Sequence, residues 1–94
     1  VKSELTKDFI SLFNNLPKNV KKNARKNYKL WKKDSSHPSL EFKKLKTKNS
    51  IYSVRISLGY RAIGIIKNKK TIVWFWVGSH SNYDKLIKKF NDII

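Results

Sequence analysis

The stretch IYSVRISLGYRAIGIIKNKKTIVWFWVG, residues 51–78, decides the fold. Tyr52, Val54, Ile56 and Leu58 alternate with Ser53, Arg55 and Ser57, the period-two pattern of a strand with one covered face. Gly59 and Tyr60 read as a tight turn. Arg61 to Ile66 and Thr71 to Val77 are almost continuously apolar and are joined through Asn68, Lys69 and Lys70. Runs of that kind are interior strands, mostly covered on both faces. Alternation places Trp74 and Trp76 on one face of the last strand and Phe75 on the other. The stretch predicts a meander of antiparallel strands.

Upstream, Leu5, Phe9, Leu12, Phe13 and Leu16 recur at helical spacing. Thr6 is the expected cap of that helix, with Asp8 in the favourable first turn. Pro17 ends it and opens a second helix. There Val20, Ala24, Tyr28 and Trp31 form an apolar stripe, and eight lysines and arginines between Lys18 and Lys33 cover the remaining surface. Asp34 to Ser39 reads as a loop, Leu40 to Lys46 as a short strand, and Thr47 to Ser50 as a polar turn. Downstream of Gly78 the period becomes helical again, with Tyr83, Leu86, Ile87, Phe90 and Ile94 on one face. Ser81 with Asp84 resembles a capping box. The expected architecture is α+β: two N-terminal helices and a C-terminal helix packed on one face of a small antiparallel sheet.

The chain has 94 residues, the length of a single domain spanning 1–94. Lys and Arg number 22 against 6 acids, a net charge of +16. Solubility needs only about 2 to 8 charges in a small domain, so the excess points to a polyanionic partner. No Cys is present, which excludes disulfides and thiolate metal sites; a cytoplasmic location is expected. No apolar run approaches the roughly 20 residues of a membrane span. The apolar residues near the start are interleaved with Lys2, Lys7, Asp8 and Asn14, so no signal peptide is read there. The six acids, Glu4, Asp8, Asp34, Glu41, Asp84 and Asp92, are too scattered for a two-metal nuclease centre. No cofactor and no metal are expected.

Four residues could carry chemistry. Arg55 lies on the more polar face of its strand, and Arg61 begins the next strand beside the turn. His80 follows the third strand, with Tyr83 three residues on. If the strands pair as a meander, the four converge near one sheet edge. Such a set suits cleavage of RNA through its own 2′-hydroxyl. The two guanidinium groups would hold the phosphate by planar two-point contacts and act most strongly on charge developing in the transition state. His80 exchanges protons near neutral pH, and Tyr83 could donate a proton or position a base. Arg25 and Lys29 on the second helix, with Lys43 and Lys46, are the cations expected to meet the RNA backbone. Each residue also has an ordinary role open to it: Tyr83 as a core aromatic, Arg55 and Arg61 as surface residues, His80 as an idle side chain, the lysines as a solvated face.

Tyr52-Ser53-Val54-Arg55-Ile56 followed by Gly59-Tyr60-Arg61-Ala62 resembles the central hairpin of RelE/HigB-type toxins of the RelE/ParE superfamily. His37-Pro38-Ser39-Leu40, Phe42-Lys43 and the segment from Trp74 to His80 with Tyr83-Asp84 resemble one bacterial subfamily of them, and the likeness runs from about residue 6 to 90. It implies a RelE-like fold and a toxin–antitoxin pair whose partner is a cognate acidic antitoxin. It also implies a metal-independent endoribonuclease, an mRNA interferase acting on messenger RNA at the ribosome. By the same likeness Arg61 matches a phosphate-binding arginine, Arg55 a basic catalytic position, His80 a basic residue after the last main strand, and Tyr83 a C-terminal tyrosine. Departures accompany it. The N-terminal strand is reduced to Val1–Glu4, Ser53 stands where some relatives carry a second basic residue, and Lys43 stands where some carry a catalytic Glu. His80 is then the leading general base. ParE-like members of the superfamily poison DNA gyrase instead, so a gyrase-inhibiting toxin and a non-catalytic basic nucleic-acid-binding module remain as alternatives. The enzyme reading expects Arg61→Ala and His80→Ala each to relieve toxicity in a folded chain.

Overall fold

Thr6 sits in extended backbone and its Oγ1 accepts a hydrogen bond from the Phe9 N–H at 3.1 Å, starting helix α1 (Lys7–Asn14) with Asp8 in its first turn. The computed structural model describes residues 2–46 and 49–93, those from Phe90 onward by backbone alone. Val1, Thr47, Lys48 and Ile94, with the Phe90 side chain, lie outside the described residues, so the parts of the expected strand, turn and helix face that fall on them are untested. Pro17 stands at the cap position before helix α2 (Lys18–Lys33), one step outside the first turn where its ring was expected. Val20, Ala24 and Trp31 are buried along α2, whereas Tyr28 is exposed and stacks on Trp31. Asn23 donates to Ser57 Oγ and Asn27 to the Ile56 carbonyl, tying α2 to the sheet.

The sheet has five strands among the described residues: β1 (Lys2–Leu5), β2 (Lys43–Lys44), β3 (Ile51–Ser57), β4 (Tyr60–Lys67) and β5 (Thr71–Ser79), in the order β1-β5-β4-β3-β2. The expected antiparallel meander β3-β4-β5 forms its centre. Strand β1 adds a parallel edge to β5, so the sheet is mixed. The expected strand from Leu40 to Lys46 is much shorter. Pro38–Leu40 form a turn of 3-10 helix, Glu41 takes a left-handed conformation (φ 44°), and only Lys43 and Lys44 pair with β3. The β3–β4 turn is Leu58-Gly59, with Gly59 at φ 78°, and Tyr60 already belongs to β4. Asn68 and Lys69 both have positive φ, the pattern of a two-residue hairpin turn that matches strand twist.

Helices cover both sheet faces, not one. Val54, Ile56, Ala62, Ile72, Trp74 and Val77 pack under α1 and α2. Ile51, Ile63, Ile65, Phe75 and Trp76 pack with Tyr83, Leu86 and Ile87 of helix α3 (His80–Ile93). The division depends on an irregularity in β5. Pairing steps from Ile63–Trp76 to Gly64–Trp74 and leaves Phe75 as the extra residue. Trp74 and Trp76 therefore enter different cores, against the single face that simple alternation predicts. Helix α3 begins at His80, with Ser79 Oγ accepting from the Asn82 N–H at 3.3 Å; Ser79, not Ser81, is the capping residue.

Gly64 is fixed by this packing. A Cβ there would meet Trp74 Cε3 at 2.8 Å and Ile72 Cγ1 at 2.9 Å, both inside the core. Gly64→Ala is expected to lower stability by about 1–3 kcal/mol, read as a reduced denaturant midpoint; an unchanged midpoint would show that the two side chains move aside freely.

Candidate functional site

Arg55 on β3 and Arg61 on β4 are direct cross-strand partners. With Ser53 they point to the face that α3 covers, opposite Val54 and Ala62. Like charges facing each other across strands repel, and Glu41 stands between them. Its carboxylate pairs with Arg55 through Oε2 and lies 3.5 Å from Arg61 Nη1 through Oε1. No motif or spacing in the sequence marks Glu41. It is one of only six acids in a chain of net charge +16, and that scarcity was the one available signal. Its placement depends on the left-handed turn after the 3-10 helix, which composition does not show.

Arg61 is 4% exposed. It was expected as a possible surface residue, and the structure makes it an interior cation. Its Nη2 donates to the Glu41 carbonyl at 3.0 Å and to Ser53 Oγ at 3.2 Å. Its guanidinium carbon lies 5.2 Å from the centre of the Tyr83 ring, a cation–π contact. Its Nε is buried without a protein partner. Tyr83 is itself buried and its hydroxyl donates to Ser53 Oγ at 3.1 Å, so Ser53 joins the arginine to the tyrosine. That bond directs the Tyr83 hydroxyl toward β3 inside the core.

His80 stacks on the Tyr83 ring at 5.9 Å between centroids. Its backbone N–H donates to the Gly59 carbonyl at 2.7 Å, which fixes the start of α3 to the β3–β4 turn. The imidazole is exposed, with Nε2 3.5 Å from Asp84 Oδ2 one helical turn on. The structure thus gathers Arg55, Arg61, Tyr83 and His80 on one face. Arg55 and His80 are open to solvent, while Arg61 and Tyr83 form the floor beneath them. Among the described residues no three His, Asp or Glu side chains come together as metal ligands.

The four expected backbone-binding cations divide. Lys43 is exposed and pairs with Ser53 in the register, on the site's face; Lys46 is exposed just beyond β2. Arg25 and Lys29 belong to α2, on the opposite side of the sheet. At 100° per residue, the eight cations of α2 fall within an arc of about 140°. Arg25 also lies over the Phe13 ring at 5.4 Å. Between α1, α2 and the sheet runs an apolar cleft of about 590 Å³, lined by Phe9, Ile10, Phe13, Tyr28 and Trp31 with Arg25 and Lys29 at its rim. No helix among the described residues is long and apolar enough to cross a membrane.

Arg61→Lys is expected to lower stability by about 2–4 kcal/mol, because an ammonium cannot serve the Glu41 carbonyl, Ser53 and the Tyr83 ring together and leaves buried acceptors unpaired. Thermal and denaturant unfolding would read the loss; a variant of wild-type stability would show that the fork geometry is not what fills this position. The same burial makes Arg61→Ala a poor test of chemistry, since loss of function there would mix with unfolding.

A family model for the ParE-like toxin domain matches residues 18–85. Solved structures share the architecture. The RelB–RelE antitoxin–toxin complex of Methanococcus jannaschii gives 21% identity, with 87% of this chain and 96% of that chain covered and a TM-score of 0.69. The RelE–RelB complex of Pyrococcus horikoshii gives 18% identity, 83% and 92% coverage and a TM-score of 0.66. The isolated RelE toxin of E. coli gives 16%, 94% and 96%, and 0.63. At these identities the likeness fixes the fold. No curated protein sequence matches the chain.

Proposed function

The chain belongs to the ParE-like toxin domain family, a toxin of RelE/ParE-like fold, and from that premise we propose that it is an endoribonuclease that cuts messenger RNA and is restrained by an acidic antitoxin. The observation that supports this reading is the pairing of Arg55 with a buried, pre-oriented Arg61 below an exposed His80. Two guanidinium groups on adjacent strands offer several N–H donors to one phosphodiester. Arg61 is held by its neighbours before any substrate arrives, so its orientation costs nothing at the moment of reaction. Its charge counts most as the phosphorus gains negative charge.

In the reaction, His80 takes the proton of the 2′-hydroxyl. The 2′-oxygen bonds to phosphorus, the bond to the 5′-oxygen breaks, and that oxygen leaves as an alcohol with a proton from solvent. Asp84 Oδ2 lies 3.5 Å from His80 Nε2, one helical turn on. Tyr83 holds the imidazole by stacking and Arg61 through its ring face. DNA lacks the attacking hydroxyl and is not a substrate.

Messenger RNA is read on the ribosome under this proposal, and Lys43 and Lys46 extend the positive face toward its backbone. The antitoxin would supply acidic residues to the rim formed by Arg25 and Lys29 and an apolar helix face to the cleft between α1 and α2. A second reading has one observation in its favour: the matching family model is ParE-like. Under that reading the target is DNA gyrase, and His80 carries no chemistry.

A defined messenger RNA incubated with the protein in EDTA, with and without programmed ribosomes, separates these. Discrete cleavage is expected, absent with His80→Ala and retained with Lys33→Ala. Intact RNA in every sample from folded protein, together with inhibited gyrase supercoiling, would replace the nuclease with the second reading. Oligonucleotide binding is expected to fall steeply with salt as counterions are released, and a flat salt profile would count against backbone contact.

A further inference from the structure

We propose that the Glu41 carboxylate is an internal stand-in for the substrate phosphate, a latch that closes the arginine pair in the resting protein and is displaced when RNA enters. The inference rests on the proposed placement of phosphate at Arg55 and Arg61.

Arg61 carries five N–H groups. Its Nη2 is engaged by the Glu41 carbonyl and Ser53 Oγ, and its Nε is buried. Nη1 remains, and it faces Glu41 Oε1. The other carboxylate oxygen pairs with Arg55. One carboxylate thus occupies the position from which a single anion touches both guanidinium groups. A phosphodiester oxygen needs the same donors, because carboxylate and phosphate both bind the guanidinium fork through paired oxygens. Two anions cannot hold these donors at once.

Glu41 is also built to let go. Its backbone is anchored: the N–H donates to the Pro38 carbonyl at 3.2 Å and its own carbonyl is held by Arg61. Its side chain is 40% exposed, so rotation about its side-chain bonds carries the carboxylate into water without moving the main chain. The carbonyl contact keeps Arg61 in place while the carboxylate departs. In the resting protein the latch offsets the repulsion between two opposed arginines. In the bound protein the phosphate takes over that task. A latch of this kind selects ligands with enough negative charge to displace a carboxylate, so neutral and weakly anionic molecules stay out.

The test measures binding, not cleavage, using a short RNA whose 2′-hydroxyl at the cut site is replaced by hydrogen. Glu41→Gln is expected to bind it roughly 3- to 30-fold more tightly than wild type, the range set by one displaced, partly exposed charged contact. It is also expected to gain more thermal stability from added inorganic phosphate than wild type gains. Equal or weaker binding by folded Glu41→Gln would overturn the latch. If the variant does not fold, wild-type protein carries the test: the Glu41 carboxylate carbon signal is expected to shift as the RNA is titrated, and a stationary signal at saturation would overturn the proposal. Arg55→Ala separates the two readings. Binding that survives it unchanged removes the phosphate site and the latch together, whereas arginine-dependent binding that Glu41→Gln fails to tighten removes only the latch.

Discussion

A buried arginine organises this small domain. Arg61 is enclosed by a carbonyl, a hydroxyl and an aromatic face supplied by three separate segments: the turn at Glu41, strand β3 and helix α3. An interior cation without partners would cost several kcal/mol, so those segments must be in place whenever the chain is folded. Tyr83 and Ser53 then bond to each other as well as to Arg61. The result is a polar knot inside the core that α3 covers. It explains why α3 begins where it does, with His80 beside the β3–β4 turn.

Two separate cores follow from one strand. With an even alternation, β5 would have sent both of its tryptophans to the same side. The extra residue at Phe75 sends Trp74 under α2, edge-on to Trp31, and Trp76 toward Tyr83. A chain of 94 residues gains a great deal from this arrangement. A sheet covered on both faces buries more apolar surface than a two-layer one, and each helix finds a side chain large enough to pack against. Gly64 opposite the bulge leaves room for Trp74 where any side chain would collide with it.

Much of this was legible in the sequence, and the gaps have physical reasons. The helical spacing of Phe9, Phe13 and Leu16 and the alternation from Tyr52 to Ile56 are local signals, and the α+β architecture followed from them. Strand order and alternation brought Arg55, Arg61, Tyr83 and His80 together, but at a sheet edge, whereas β3 and β4 that carry the arginines are interior strands. Glu41 escaped because its role arises from a left-handed turn and a contact across 20 positions. The strand expected from Leu40 to Lys46 was shortened by the same turn. The split of Trp74 from Trp76 escaped because a bulge shifts register without leaving a mark in residue type. Ser79 displaced Ser81 as the cap because β5 runs directly into α3, with no loop between them.

The cations of α2 and those around Arg55 lie on opposite sides of the sheet, so positive charge is presented on both of its sides. Such a charge distribution attracts a polyanion strongly and orients it weakly. An anionic surface that meets the molecule from either side of the sheet therefore finds positive charge, and a productive encounter needs little orientational search.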